Sequence, residues 1–354
     1  MEIFYSNPSL NKIKNNTTKK KKGDLQKNKK QPNKTQKNNS LPLNIRVPNY
    51  SESDKREIIQ QINPISLEDA TKSFEKLQQL KCKGAIASSG FIRIGNDVVD
   101  YFTLIERLAT KGNKGIDFYT FYYNRNVFSK MKYIQNMLKY YKSRDISEIR
   151  KWKYIFNMYF SSISIFRPVM AMEIYCRYSP KHAILDYTMG WGGRLVGACA
   201  LNSPKYIGID SNIHLKPLYH SMQEFLTSKT TTQMEFYFQD ALKMDYSKLY
   251  YDVVFTSPPY YDIEVYRANK NRESNERFKT KDEWNELFYK PIIERTWKHM
   301  KSPGYYCLNV PVDIYDSCCV PVLGNATKKH ILKKSQRFRE ITNPYTEYIY
   351  VWYK

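Results

Sequence analysis

The chemistry of this chain is concentrated where a short apolar run meets two consecutive prolines, in Asp252-Val-Val-Phe-Thr-Ser-Pro-Pro-Tyr-Tyr261. The run reads as a buried strand ending in Ser257-Pro258-Pro259-Tyr260. Two prolines in succession fix φ and force an extended backbone, a poor choice for an ordinary connection but a good one where carbonyls must be held rigidly. The Ser257 hydroxyl and the Pro258 carbonyl are placed to accept the N–H groups of an aromatic amine. That turns the amine lone pair out of conjugation. Tyr260 is suited to stack on a base taken out of its helix, the usual requirement for chemistry on a base. The competing reading is a Pro-Pro turn with a packing tyrosine, and the strand context weighs against it.

A second constellation, Ile184-Leu-Asp-Tyr-Thr-Met-Gly-Trp-Gly-Gly-Arg194, is a strand running into a glycine-rich turn. Ligands of open α/β sheets bind beyond the carboxyl ends of strands. Gly190, Gly192 and Gly193 let the backbone turn tightly and approach a ligand without Cβ clashes. Asp186 at the strand tip suits an ammonium group such as that of S-adenosylmethionine, and Thr188 and Arg194 complete the candidate cofactor residues of this turn. A dinucleotide site fits less well, because its fingerprint is GxGxxG and here the glycines fall as GxGG. Asp210 closes the next strand, about 20 residues on, where a carboxylate accepts from ribose hydroxyls. Asp240 follows a third strand and, with Ala241, is placed to hold an adenine amino group. Each acid alone is more often a cap or a surface residue, but three at successive strand ends form a pattern.

The elements that must position these groups alternate. Ala183–Leu185, Tyr206–Ile209, Met234–Phe238, Asp252–Phe255, Tyr305–Val310 and Tyr348–Trp352 read as buried strands, with crossover helices predicted over Arg194–Ala200 and Leu215–Leu226. The pattern predicts an α/β fold with a mostly parallel, doubly wound sheet. Residues 52–160 read as mainly helical, with a capping box at Ser66–Asp69 and amphipathic stretches over Asp100–Leu108 and Phe128–Tyr141. Residues 1–50 carry twelve Lys/Arg against Glu2 and Asp24. So polar a segment cannot offset its ordering entropy and reads as a disordered basic arm, tracking phosphates, serving as a nuclear-targeting patch, or simply solvated. The expected organisation is 1–50 arm, 51–160 helical region with a candidate role in DNA recognition, and 161–354 catalytic domain.

The pair Asp186–Arg194 and Ser257–Tyr260 resembles the motif pair of the amino-group DNA methyltransferases, the N4-cytosine and N6-adenine enzymes. The strings Asp-Tyr-Thr-Met-Gly-Trp-Gly-Gly-Arg and Phe-Thr-Ser-Pro-Pro-Tyr-Tyr-Asp are similar to those of phage and large DNA virus members. The likeness covers about residues 160–354. It implies a Rossmann-like class I methyltransferase sheet, S-adenosylmethionine as cofactor, and duplex DNA with a flipped base as substrate; RNA as the substrate and a catalytically silent nucleic-acid-binding paralogue are the alternatives. Ser164-Ile-Phe-Arg-Pro168 resembles the family's additional cofactor-contacting segment, which would bring in Phe166 and Arg167. The family often has Asp where this chain has Ser257, a choice commoner among N4-cytosine members. No recognition domain separates the two motifs. Recognition is therefore expected from the helical region, from the loop Asp262–Lys281 with Arg267, Lys270, Arg272 and Lys279, or from a homo-oligomer or partner subunit.

Composition agrees with a polyanionic partner: the formal net charge is +23 over 354 residues, with a sequence pI near 9.5. A Lys-, Asn-, Ile- and Tyr-rich AT-biased genome would also raise that charge. The six cysteines show no metal spacing and read as thiols of a reducing compartment, and the five histidines fall in no ligand pattern. No Pro-Cys dipeptide supplies the nucleophile of a C5-cytosine enzyme. No signal peptide or membrane span is evident, so a soluble intracellular protein of cytoplasm or nucleus is expected.

Overall fold

Strands form here where short apolar runs are bounded by turns. The structure, a computed structural model, describes residues 41–42, 44–82, 92–112, 114–160, 163–259, 264–265, 278, 280–332 and 347–354. Lys111–Gly112 (β1) pairs with a second short strand, described below. Ile184–Asp186 (β2), Lys205–Asp210 (β3), Gln233–Phe238 (β4) and Val253–Thr256 (β5) come next. Glu264–Val265 (β6) is the antiparallel partner of β1. Tyr305–Val310 (β7), Lys328–Leu332 (β8) and Glu347–Tyr353 (β9) complete the set.

Seven of these strands make one sheet, in the order β4-β3-β2-β5-β7-β9-β8. The first five run parallel, and β9 enters antiparallel between β7 and β8. This is an open, Rossmann-like α/β sheet with one antiparallel strand inserted near its edge. Chain order runs outward from β2 to β4 on one side and from β5 to β7 on the other. The crevice between β2 and β5 is thus the topological switch point, where open α/β sheets bind ligands.

Successive strand residues point to opposite faces, and the two cores follow that alternation. Ile184, Val253, Phe255 and Cys307 join one core, while Leu185, Val254, Tyr306 and Leu308 join the other. The helical part supplies Glu52–Ile62 (α1), Leu67–Leu80 (α2), Asn96–Ala109 (α3), Phe118–Tyr123 (α4), Arg125–Phe128 (α5), Lys132–Lys142 (α6) and Glu148–Tyr159 (α7). Phe74 and Leu77 of α2 and Val98 and Val99 of α3 pack into the first core, beside Pro168–Tyr178 (α8), Gly193–Ala200 (α9) and Leu215–Thr227 (α10). A third core of Ile58, Phe118, Phe121, Phe128, Trp152 and Phe156 holds the remaining helices together.

The Ser66–Asp69 capping box forms as read: Asp69 N donates to Ser66 Oγ (3.0 Å) and Ser66 N donates to Asp69 Oδ2 (2.9 Å). The same device opens α1 at Ser51 and Asp54. The basic arm of the sequence reading falls outside the described residues as far as 40. Beyond it, Leu41, Ile45 and Tyr50 supply enough apolar surface to pack on the third core, and Arg46 N donates to Asn124 Oδ1 (3.0 Å).

One expectation is corrected. Cys82 and Cys176, read as thiols, form a disulfide. They lie 94 residues apart, so no local spacing announces the pair; α2 and α8 bring their Cα atoms to 5.4 Å. The other four cysteines are free and buried. Among the described residues no helix is long and apolar enough to cross a membrane, and no group of three or more His, Cys, Asp or Glu could hold a metal ion.

Candidate active site

The two sequence motifs leave neighbouring strands. Leu185 of β2 pairs in register with Val254 of β5, so both strands release their chains at the same edge of the sheet. Thr188, past the end of β2, and Thr256, the last residue of β5, share a hydrogen bond of 2.6 Å between their hydroxyls. At the other end, the Asp252 carboxylate accepts three backbone N–H groups, of Lys181, His182 and Ala183, at 2.6–3.1 Å. The glycine turn and the double-proline corner therefore open onto one crevice, with their separation fixed at both strand ends.

Within the turn the glycines have distinct tasks. Gly192 (φ +87°) caps α9 in the left-handed region that glycine adopts at no steric cost. At Gly193 a Cβ would lie 1.8 Å from the Phe166 carbonyl oxygen, so that residue admits the extended segment 163–167 across the start of α9. Gly190 (φ +55°) faces open space: nothing stands closer than 3.9 Å to where its Cβ would be. The sequence reading gave all three a common role in approaching a ligand. In the fold Gly190 borders the crevice, whereas Gly193 admits protein backbone. Phe166 lies with its ring edge-on to Phe255 (5.3 Å) and 5.5 Å from the Arg194 guanidinium, and Arg167 caps α8.

Asp186 and Arg194 form a buried pair. Arg194 donates from Nε to Asp186 Oδ2 (2.6 Å) and from Nη2 to Oδ1 (3.1 Å), and also to the Thr188 carbonyl. Tyr206 (2.5 Å) and Thr256 (2.7 Å) donate their hydroxyls to the same carboxylate. A carboxylate offers about four acceptor sites, and four donors are present. Asp186 is fully buried and Arg194 is 4% exposed. Burial alone would lower the guanidinium pKa, but the Asp186 charge overrides it and holds it above its ordinary value.

At the tip of β3, Asp210 accepts Gly190 N on Oδ2 and Asn212 N on Oδ1, both at 2.9 Å. Burial pushes its carboxyl above the usual range, against these two donors, which favour the ionised form. Asn212, not singled out in the sequence, is buried with its Nδ2 donor unpartnered beside this carboxylate. Asp240 caps the short turn Ala241–Lys243 through Leu242 N (2.9 Å), with Ala241 buried next to it.

On the other side of the crevice, Ser257 donates its hydroxyl proton to Asn309 Oδ1 (3.0 Å). Asn309, on β7, is buried and donates from Nδ2 to the Tyr348 carbonyl of β9 (3.0 Å). That second bond fixes the orientation of its amide, so Asn309 takes the Ser257 proton and the serine oxygen keeps its lone pairs as acceptors. The Pro259 carbonyl accepts from the buried Tyr289 hydroxyl (3.1 Å). Tyr289 closes a π-helical turn, Asn285–Tyr289, between Lys281–Trp284 (α11) and Lys290–His299 (α12). Pro291 cannot donate in that helix, and the wider turn accommodates the loss. Pro258 is buried; Tyr260, Arg267, Lys270, Arg272 and Lys279 lie outside the described residues. Asn309 and Tyr289 were missed in the sequence. A lone amide inside the apolar run Tyr305–Val310 was the available signal for the first; nothing local marks the second.

No protein-family model and no curated protein matches the chain. Among solved structures it is similar to TrmN from Thermus thermophilus, at 14% identity over 53% of this chain and 48% of that one, with a TM-score of 0.36. It thus spans about half the length of that protein. It is also similar to an rRNA methylase from Streptococcus thermophilus, at 13% identity over 54% and 99% of the two chains, with a TM-score of 0.35. A SAM-dependent O-methyltransferase from Thermotoga maritima shares 14% identity over 53% and 66%, with a TM-score of 0.33. Likeness at these scores adds nothing to what the strand order shows.

Proposed function

We propose that this chain transfers a methyl group from S-adenosylmethionine to the exocyclic amino group of a base in DNA, N4 of cytosine or N6 of adenine. The observation that carries the reading is the 2.6 Å hydroxyl bond between Thr188 and Thr256, which ties the glycine turn to the proline corner across the switch point. The residues around the turn fit the cofactor. Gly190 leaves room at the crevice wall, and Asn212 Nδ2 is a buried donor awaiting an acceptor. Asp210 would take the ribose hydroxyls, Asp240 and Ala241 the adenine edge, and Phe166 and Arg167 would line the side opposite. Asp186, its acceptor sites filled, would act on the methionine end through the turn it shapes. When bound, the cofactor supplies an electrophilic methyl group on its sulfonium.

The chain's own part is orientation, which can provide much of such a rate. The Ser257 oxygen, its proton held by Asn309, and the Pro258 carbonyl would accept the two N–H groups of the target amine. The lone pair is thereby turned toward the methyl donor. Tyr289 keeps the corner rigid through the Pro259 carbonyl, and Tyr260 would stack on the extruded base.

The test is methyl transfer from tritiated cofactor to DNA and RNA, followed by nucleoside mass spectrometry. Label recovered as N4-methylcytosine or N6-methyladenine from DNA is the expected result, with Pro258→Ala abolishing transfer and Asp210→Ala weakening cofactor binding. Label on RNA alone would move the substrate. Label on neither, together with no cofactor binding by calorimetry, would refute the reading.

A further inference from the structure

A cavity of about 300 Å³ lies between α1, α3 and α7, away from the crevice just described. Its charged lining is lopsided: Arg107 from α3 and Arg150 and Lys153 from α7 face a single carboxylate, Asp100. That carboxylate is already committed, to Arg107 and to the Asn63 amide (3.3 Å). Arg107 Nε is buried with no hydrogen-bond partner. Lys153 donates to Asn157 Oδ1 (2.7 Å) and stands 5.4 Å from the centroids of both the Phe118 and Phe156 rings. Among the described residues no carboxylate pairs with it. Burial, and then the neighbouring Arg107, push the Lys153 ammonium down to about 7 against the pull of Asp100. A half-buried cation with no carboxylate partner is costly unless an anion meets it.

The wall of this cavity at Ile163 is also the start of the segment whose Phe166 carbonyl presses on Gly193. Three residues span at most about 11 Å of chain, so the cavity and the glycine turn are neighbours along one strap. A guanidinium fork with an ammonium beside it matches the oxygens of a phosphate, and a cavity of this volume takes one with part of its sugar.

We propose that this cavity binds a phosphate group, supplied by the sugar–phosphate backbone of the nucleic acid near the modified base. The proposal rests on the nucleic-acid reading above and adds a contact that fixes the substrate's register. Lys153 must gain a proton when the phosphate enters. At pH 8, binding of a short DNA oligonucleotide should therefore take up close to one proton, read by calorimetry in buffers of different ionisation heat. Lys153→Met should abolish that uptake, weaken oligonucleotide binding about tenfold at low salt, and lower the salt slope by about 1. Cofactor affinity should not change, and a melting curve would check that the variant folds. Inorganic phosphate should compete with the oligonucleotide in the wild type only.

Unweakened oligonucleotide binding in Lys153→Met at low salt, whatever the proton count, would overturn the proposal. Phosphate binding combined with equal oligonucleotide affinity in both proteins would mean that a free anion occupies the cavity, and would overturn the backbone assignment. Loss of cofactor binding in the wild type would sink the methyl-transfer reading alone, because the proton count does not depend on it.

Discussion

Asp186→Asn should unfold the protein more readily without reporting on cofactor contact, and the pair it breaks allows the two effects to be separated. The substitution strands the Arg194 guanidinium, 4% exposed, without its counter-charge. Removing one partner of a buried ion pair costs about 3–5 kcal/mol. For a chain of this size that is a fall in Tm on the order of 10 °C. Arg194→Met should cost a similar amount, since the carboxylate would keep only the Tyr206 and Thr256 hydroxyls. The double variant Asp186→Asn with Arg194→Met removes both charges and leaves at least one of those two hydroxyls without an acceptor, a loss of about 1–2 kcal/mol at roughly 1 kcal/mol each. The double variant should thus be more stable than either single one. Urea denaturation followed by tryptophan fluorescence measures this cycle, with cofactor calorimetry on the same samples. Additive losses would refute the pairing argument. A double variant that folds and keeps its cofactor affinity would rule out the direct ammonium contact that the place of Asp186 in the sequence suggests.

Asn309→Ala should lower kcat/KM about tenfold, the equivalent of one well-placed hydrogen bond to the reacting amine, while cofactor affinity stays constant. Unchanged turnover would remove Asn309 from the site. Gly193→Ala should destabilise by several kcal/mol, because its Cβ would meet the Phe166 carbonyl at 1.8 Å, whereas Gly190→Ala should cost only the ~1 kcal/mol of a left-handed backbone. Equal melting temperatures for the two would contradict the distinction. Lys153 gives a pH signature as well. Its folded-state pKa, about 7, lies below its ordinary value of 10.5, so between these values the unfolded chain binds more protons and stability rises with pH. The gain in stability of Lys153→Met over wild type should be full at pH 6 and shrink by pH 9.5; a gap independent of pH would refute the assignment.

The sheet was legible because its strands announce themselves. The spacing gives Tyr305–Val310 to the residue and the other apolar runs to within one, since burial on both faces of the central strands demands continuous apolar sequence; β4, expected buried, lies at the sheet edge and is only half-buried. Lys328–Leu332 was not read: an edge strand of Lys, Lys and His with one buried side chain carries no such run. In the site, motif spacing led to Gly190, Asp210 and Ser257 because each sits at a strand end, where chain order and space coincide. It could not reveal that four donors crowd Asp186, as Tyr206 and Thr256 reach it from neighbouring strands 20 and 70 residues away. Tyr289 and Asn309 touch the corner from 30 and 52 residues downstream, distances at which a single sequence carries no local signal.

The antiparallel strand β9 has a consequence for the order in which the site matures. Threaded between β7 and β8, it contributes the Tyr348 carbonyl that aims the Asn309 amide. The strands that lead to Gly190 and Asp210 share a core with Ile349 and Val351 of β9 but make no strand pairing with it. If the chain is the proposed methyltransferase, a molecule frayed at β9 would lose the aim of its serine before the β2–β3 crevice opens, so loss of turnover should precede loss of cofactor as the last strand peels away.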